Sequence, residues 1–107
     1  MIMTEEEAVD VIVEGLVGLD SILIHLRNGM GLDRERLAEI ENATRFLIRQ
    51  WKGQTTVPKK VALAFVDIQT GLDFGDEHYD EDELAAIEAA GISLATLGME
   101  LFDERGE

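Results

Sequence analysis

Apolar residues recur at intervals of three and four along four stretches of this chain, and each stretch is bounded by residues that start or stop helices. The first opens at Thr4, whose hydroxyl caps the helix while Glu7, three residues on, reaches back to the cap amide. Glu5 and Glu6 then face the positive end of the helix dipole. Apolar positions run from Val9 to Leu26 over a wide arc, and Asn28 with Gly29 supplies a stop. One continuous helix is expected here. Its breadth suits either the centre of a bundle or a homodimer face, and Gly15 and Gly18 would ease close approach in both.

A second helix is expected from Asp33 as cap, with Leu37, Ile40, Thr44, Leu47 and Trp51 on one seam. Lys52 complements its negative end, and Gly53 opens a polar loop through Gln54, Thr55 and Thr56. The third, about Pro58 to Leu72, carries Pro58 in its first turn, where a missing amide hydrogen costs nothing. Val61, Phe65, Ile68 and Leu72 share one side, while Leu63, Val66 and alanines fill most of the rest. That pattern predicts the most buried helix of the set. The fourth starts at Asp80 as cap with Glu83 three residues on, and Tyr79 before the cap can staple onto Leu84. Its inward stripe is Leu84, Ile87, Gly91, Leu94, Gly98 and Leu101.

Four helices joined by short connections predict an all-α fold, a compact bundle of about four helices, mostly antiparallel. A single proline and the lack of alternating runs leave little room for strands, and 107 residues suit one domain over 1–107. The stretch from Val9 to Leu26 is long enough to raise a membrane span, but Asp10, Glu14, Asp20 and His25 interrupt it. No cationic start precedes an apolar run, so a cytoplasmic protein is expected, with no membrane partner.

Charge changes the picture more than any motif. The net of −14 comes from 23 acids against 9 bases, which opposes direct binding of nucleic acid or anionic lipid and favours a basic protein partner. Solubility or adaptation to high salt is the plainer explanation, and the scarcity of lysine (Lys52, Lys59, Lys60) fits it. The distribution is uneven: residues 1–26 carry −6, residues 27–60 carry +4, and residues 61–107 carry −12. Arg34, Arg36, Arg45 and Arg49 are therefore placed to pair with acids on neighbouring helices, and Glu41 lies one turn before Arg45 in the favourable orientation.

Catalytic and metal-binding constellations are scarce. With no cysteine there is no disulfide, thiolate metal site or thiol nucleophile. The acidic stretch 73–83 invites a metal-dependent sensor, yet a calcium loop counted from Asp73 puts His78 sixth and Leu84 twelfth, where glycine and glutamate are required. Counted from Asp76, those positions hold Glu81 and Ile87. A dimetal site would need glutamate three residues before each histidine, and Ile22 and Gly75 stand there instead. Ser21 and Ser93 lie inside expected helices without a nucleophile elbow, and Gly29 and Gly31 start no phosphate-binding pattern. His25 reads as the edge of the first helix's apolar face, and a His78–Asp82 acid–base pair conflicts with a cap at Asp80.

No catalytic residue, metal site or cofactor is expected on these grounds. The sequence predicts a small acidic binding protein that masks a basic surface, as immunity proteins, antitoxins and nuclease inhibitors do. Its contact residues would be Phe74, Asp76, Glu77, Tyr79, Asp80, Glu81 and Asp82, where aromatics stand among like charges. A homo-oligomeric scaffold, paired through the first helix, is the second expectation, and a metal sensor built on 73–83 the third.

Overall fold

The computed structural model describes residues 3–19, 21–54, 56–71 and 79–102, with the backbone alone at 67–71. Five helices form among them: α1 (Glu5–Val17), α2 (Ile22–Arg27), α3 (Arg34–Gln50), α4 (Lys59–Gly71) and α5 (Glu81–Leu101). The four long ones make an all-α bundle, packed in the cyclic order α1, α3, α5, α4. Consecutive long helices run antiparallel along the chain.

The start of α1 follows its sequence closely. Thr4 Oγ1 accepts the Glu7 amide at 3.1 Å, and Glu7 Oε1 accepts the Thr4 amide at 3.0 Å, closing the capping box. The expected single helix to Leu26 does not form, however. Gly18 turns extended (ψ 176°) and ends α1, and Ser21 caps α2 by accepting the Ile24 amide at 3.3 Å. The break carries Leu19 out to 97% exposure while keeping Ile22, Leu23 and Leu26 buried. An unbroken helix could not turn both sets to their present environments.

Helix α1 lies between α3 and α4, with Ala8, Val9, Ile12, Gly15 and Leu16 buried. Gly15 matters for this approach, because a Cβ there would stand 2.5 Å from Ile40 Cδ1. Most of the apolar arc of α1 is thus covered from two sides within one chain, while Val17 stays exposed. Trp51, at the end of α3 and 4% exposed, donates its indole N–H to the Glu5 carboxylate and ties the start of α1 to the end of α3. On α3 the seam is as expected: Ile40, Thr44, Leu47 and Trp51 are buried, with Leu37 half-buried. Thr44 avoids an unpaired hydroxyl by donating to the Ile40 carbonyl at 2.7 Å.

The described side chains of α4 are those of residues 59–66. Val61, Ala64 and Phe65 enter the core, but Leu63 and Val66 are each 63% exposed. The helix's main neighbours are α1 and α5, which cover the side that carries Val61, Ala64 and Phe65. Ile68 and Leu72 fall outside the described side chains. Helix α5 buries Ile87, Ala90, Leu94, Leu97, Gly98 and Leu101, with Leu84 and Gly91 half-buried. Gly98 admits the Phe65 ring, whose Cδ1 would lie 3.0 Å from a Cβ, and Phe65 stacks edge-on against Phe102 at 5.7 Å.

Candidate functional site

The first turn of α5 and the α2–α3 loop form one unit. Asp80 caps α5 by accepting the Glu83 amide at 2.8 Å. The Glu83 carboxylate does not return to the cap, as a capping box requires, but crosses to the loop. There Oε2 accepts the Leu32 amide at 2.7 Å and Oε1 lies 3.2 Å from Arg34 Nη2. Tyr79 fixes the same loop: its hydroxyl donates to the Leu26 carbonyl at 2.8 Å and accepts the Gly31 amide at 3.1 Å. Its ring packs beside the small core of Leu26, Leu32, Ile87 and Ala90.

The loop can take this shape because Gly29 (φ 73°) and Gly31 (φ 85°) adopt left-handed backbone that side chains disfavour. Asp33 then caps α3 by accepting the Arg36 amide at 3.0 Å, and its other oxygen lies 3.9 Å from Nδ1 of the half-buried His25. Between loop and helix lies a shallow polar cleft of about 460 Å³, lined by residues 29–32 together with Arg34, Tyr79, Asp80 and Glu83.

Two kinds of acid result. Glu83 is committed to the loop, with its side chain 24% exposed. Asp80, Glu81 and Asp82 are exposed at the rim, and none of the three meets a cation among the described residues. Of the residues expected to contact a partner, the structure therefore brings Tyr79, Asp80, Glu81 and Asp82 together on one anchored turn. Phe74, Asp76 and Glu77 lie outside the described residues, as do Asp73 and His78 of the acidic stretch. No group of three or more metal-ligating side chains occurs among the described residues.

Sequence reasoning missed Glu83 and Arg34 as parts of this unit. Their pairing joins positions 49 residues apart, and no local spacing signals it. On the basic helix, Arg34 meets Glu83, while Arg45 turns to Asn42 Oδ1 at 3.3 Å. Glu41, expected beside Arg45, instead accepts the Ser93 hydroxyl of α5. Together the Arg34–Glu83 and Glu41–Ser93 contacts set α3 and α5 parallel.

Compared with protein-family models, curated proteins and solved structures, the chain matches none of them.

Proposed function

We propose that this chain is a small acidic binding protein that masks a basic surface on a protein partner, in the manner of an immunity protein, antitoxin or nuclease inhibitor. The observation that carries the reading is the division of labour on the first turn of α5. Tyr79 and Glu83 hold the turn against the 29–32 loop, leaving Asp80, Glu81 and Asp82 outward without a cation. A preorganised cluster loses little conformational freedom on binding, so more of its attraction survives as affinity. The −12 net charge of residues 61–107 attracts a cationic surface over distance. Contact is then made by the three carboxylates and the edge of the Tyr79 ring, with a cationic side chain of the partner entering the polar cleft beside Asp80. Phe74, Asp76 and Glu77, which precede this turn in the sequence, complete the proposed contact set.

The test is affinity capture from the native host at low and moderate salt, run in parallel with a Glu81→Gln, Asp82→Asn variant. Both substitutions lie at exposed positions and leave the Asp80 cap intact. A basic protein should be retained by the parent chain, weakened by salt, and lost from the variant. Recovery of no basic protein at low salt, or equal recovery on both chains, would overturn the reading.

A further inference from the structure

Helix α5 has two apolar faces, and the bundle covers one. Ile87, Ala90, Leu94, Leu97 and Leu101 are buried. On the opposite side Ala85, Ala89, Ile92, Thr96 and Met99 are exposed, Ile92 at 62% and Met99 at 75%. Their successive spacings of four, three, four and three are those of a helix-pairing seam. By length and composition the helix could cross a membrane, with a mean hydropathy of 1.4, yet only 33% of that window is buried, and its exposed apolar seam is flanked by Glu88 and Glu100. The exposed face continues into α4 across an apolar groove of about 290 Å³, lined by Ala62, Phe65 and Val66 on one side and by Ala95, Met99 and Phe102 on the other.

We propose that this face is the interface of a two-fold dimer, in which α5 packs antiparallel on α5 of a second copy with Ile92 at the axis. Side-chain size selects that partner and direction. The seam runs from small residues (Ala85, Ala89) to larger ones (Thr96, Met99), so antiparallel pairing about Ile92 sets Met99 of each copy over Ala85 of the other and Thr96 over Ala89. Large against small interdigitates, whereas parallel pairing would oppose Met99 to Met99 and leave a gap between alanines.

Charge is partly compatible with this arrangement. Lys59 and Lys60 begin α4 beside the Phe102 end of α5, as the Phe65–Phe102 contact requires, where Glu100 is also exposed, while Glu81 and Asp82 are exposed at the far end. Reversing one copy brings the two lysines of each toward Glu81 and Asp82 of the other, with Glu88 and Glu100 flanking the seam. The apolar seam is about 21 Å long, and only with the polar first and last turns of α5, about 30 Å in all, and the flank of α4, about 20 Å wide, do two copies together exceed the ~1,000 Å² of a specific interface. Helix α1, the other candidate for self-association, buries Ala8, Val9, Ile12 and Leu16 between α3 and α4 and leaves Val17 exposed at its end.

Sedimentation of the full chain over a wide concentration range tests this. Two chains of −14 repel, so the dimer should strengthen as salt rises, opposite in sign to capture of a basic partner. Ile92→Glu, at an exposed position that does not affect the fold, should weaken dimerisation at least ~30-fold with an unchanged helical circular dichroism spectrum. Because the chain has no cysteine, Ile92→Cys gives a single thiol at the axis and should form a disulfide-linked dimer. Met99→Cys should not, since antiparallel copies hold those positions about 20 Å apart along the helices. A strict monomer at all concentrations and salts would overturn the proposal. So would a dimer indifferent to Ile92→Glu, crosslinking through Met99→Cys, or a monomer that instead binds neutral phospholipid vesicles through Ile92.

Discussion

Replacing Tyr79 by phenylalanine removes one oxygen and, with it, both bonds that this side chain makes to α2 and the α2–α3 loop. The two losses differ in kind. The Leu26 carbonyl keeps the Gly29 amide at 3.2 Å, so it forfeits a second partner only. The Gly31 amide loses the hydroxyl it donates to at 3.1 Å and must turn to water, which its half-buried position permits at a cost. With each net bond worth about 0.5–1.5 kcal/mol, the expected destabilisation is about 1–2.5 kcal/mol. For a domain near this size that lowers Tm by roughly 4–8 °C per kcal/mol. Guanidinium unfolding followed by the fluorescence of Trp51, the single tryptophan and 4% exposed, measures it, with a shifted midpoint at constant slope. Glu83→Ala removes the neighbouring anchor, and because both side chains hold one loop, the double variant should depart from additivity by about 0.5 kcal/mol or more. A Tyr79→Phe effect below about 0.3 kcal/mol would refute the reasoning, and so would full additivity with Glu83→Ala.

The two faces of α5 should answer differently to truncation. Leu94→Ala, at a fully buried site, is expected to cost about 2–5 kcal/mol in denaturant unfolding, whereas Ile92→Ala, measured on dilute monomer, should stay within about 0.5 kcal/mol. At the α1–α3 crossing, Gly15→Ala gains up to about 1 kcal/mol of helix propensity, but its Cβ meets Ile40 Cδ1 at 2.5 Å inside a closed core. Overpacking of about 1–3 kcal/mol should win, leaving the variant less stable than the parent, and Ile40→Val in the same chain should recover part of the loss. A more stable Gly15→Ala protein would show that the crossing has slack.

Local chemistry made much of this fold legible. The caps at Thr4, Asp33 and Asp80 and the α3 seam depend on neighbours within a turn, and each stands where its spacing put it. The break between α1 and α2 was written in Gly18 and Ser21, but the apolar run across them outweighed the signal; only the exposure of Leu19 resolves the conflict. The exposure of Leu63 and Val66 on α4 was not legible, because apolar content reports what a helix could bury, not which of its faces a neighbour will cover. At the candidate site, the Asp80 cap was visible and the Glu83 crossing was not, since a carboxylate three residues after a cap fits a capping box and a distant amide equally well. Arg45 and Glu41 show the same limit: helical spacing allowed their pairing, and a serine on α5 supplied a competing partner.

The anchors of the α5 turn also bear on the order in which the molecule assembles. Tyr79 and Glu83 reach residues about 50 positions earlier in the chain, so their bonds close a long loop and are met only after its entropy has been lost. During synthesis the 29–32 loop must wait for the whole of α4 to emerge. The anchors are therefore latches rather than nuclei: weakening them should hasten unfolding while leaving the folding rate nearly unchanged. Glycines at 29 and 31 keep that loop pliable enough to be fastened last.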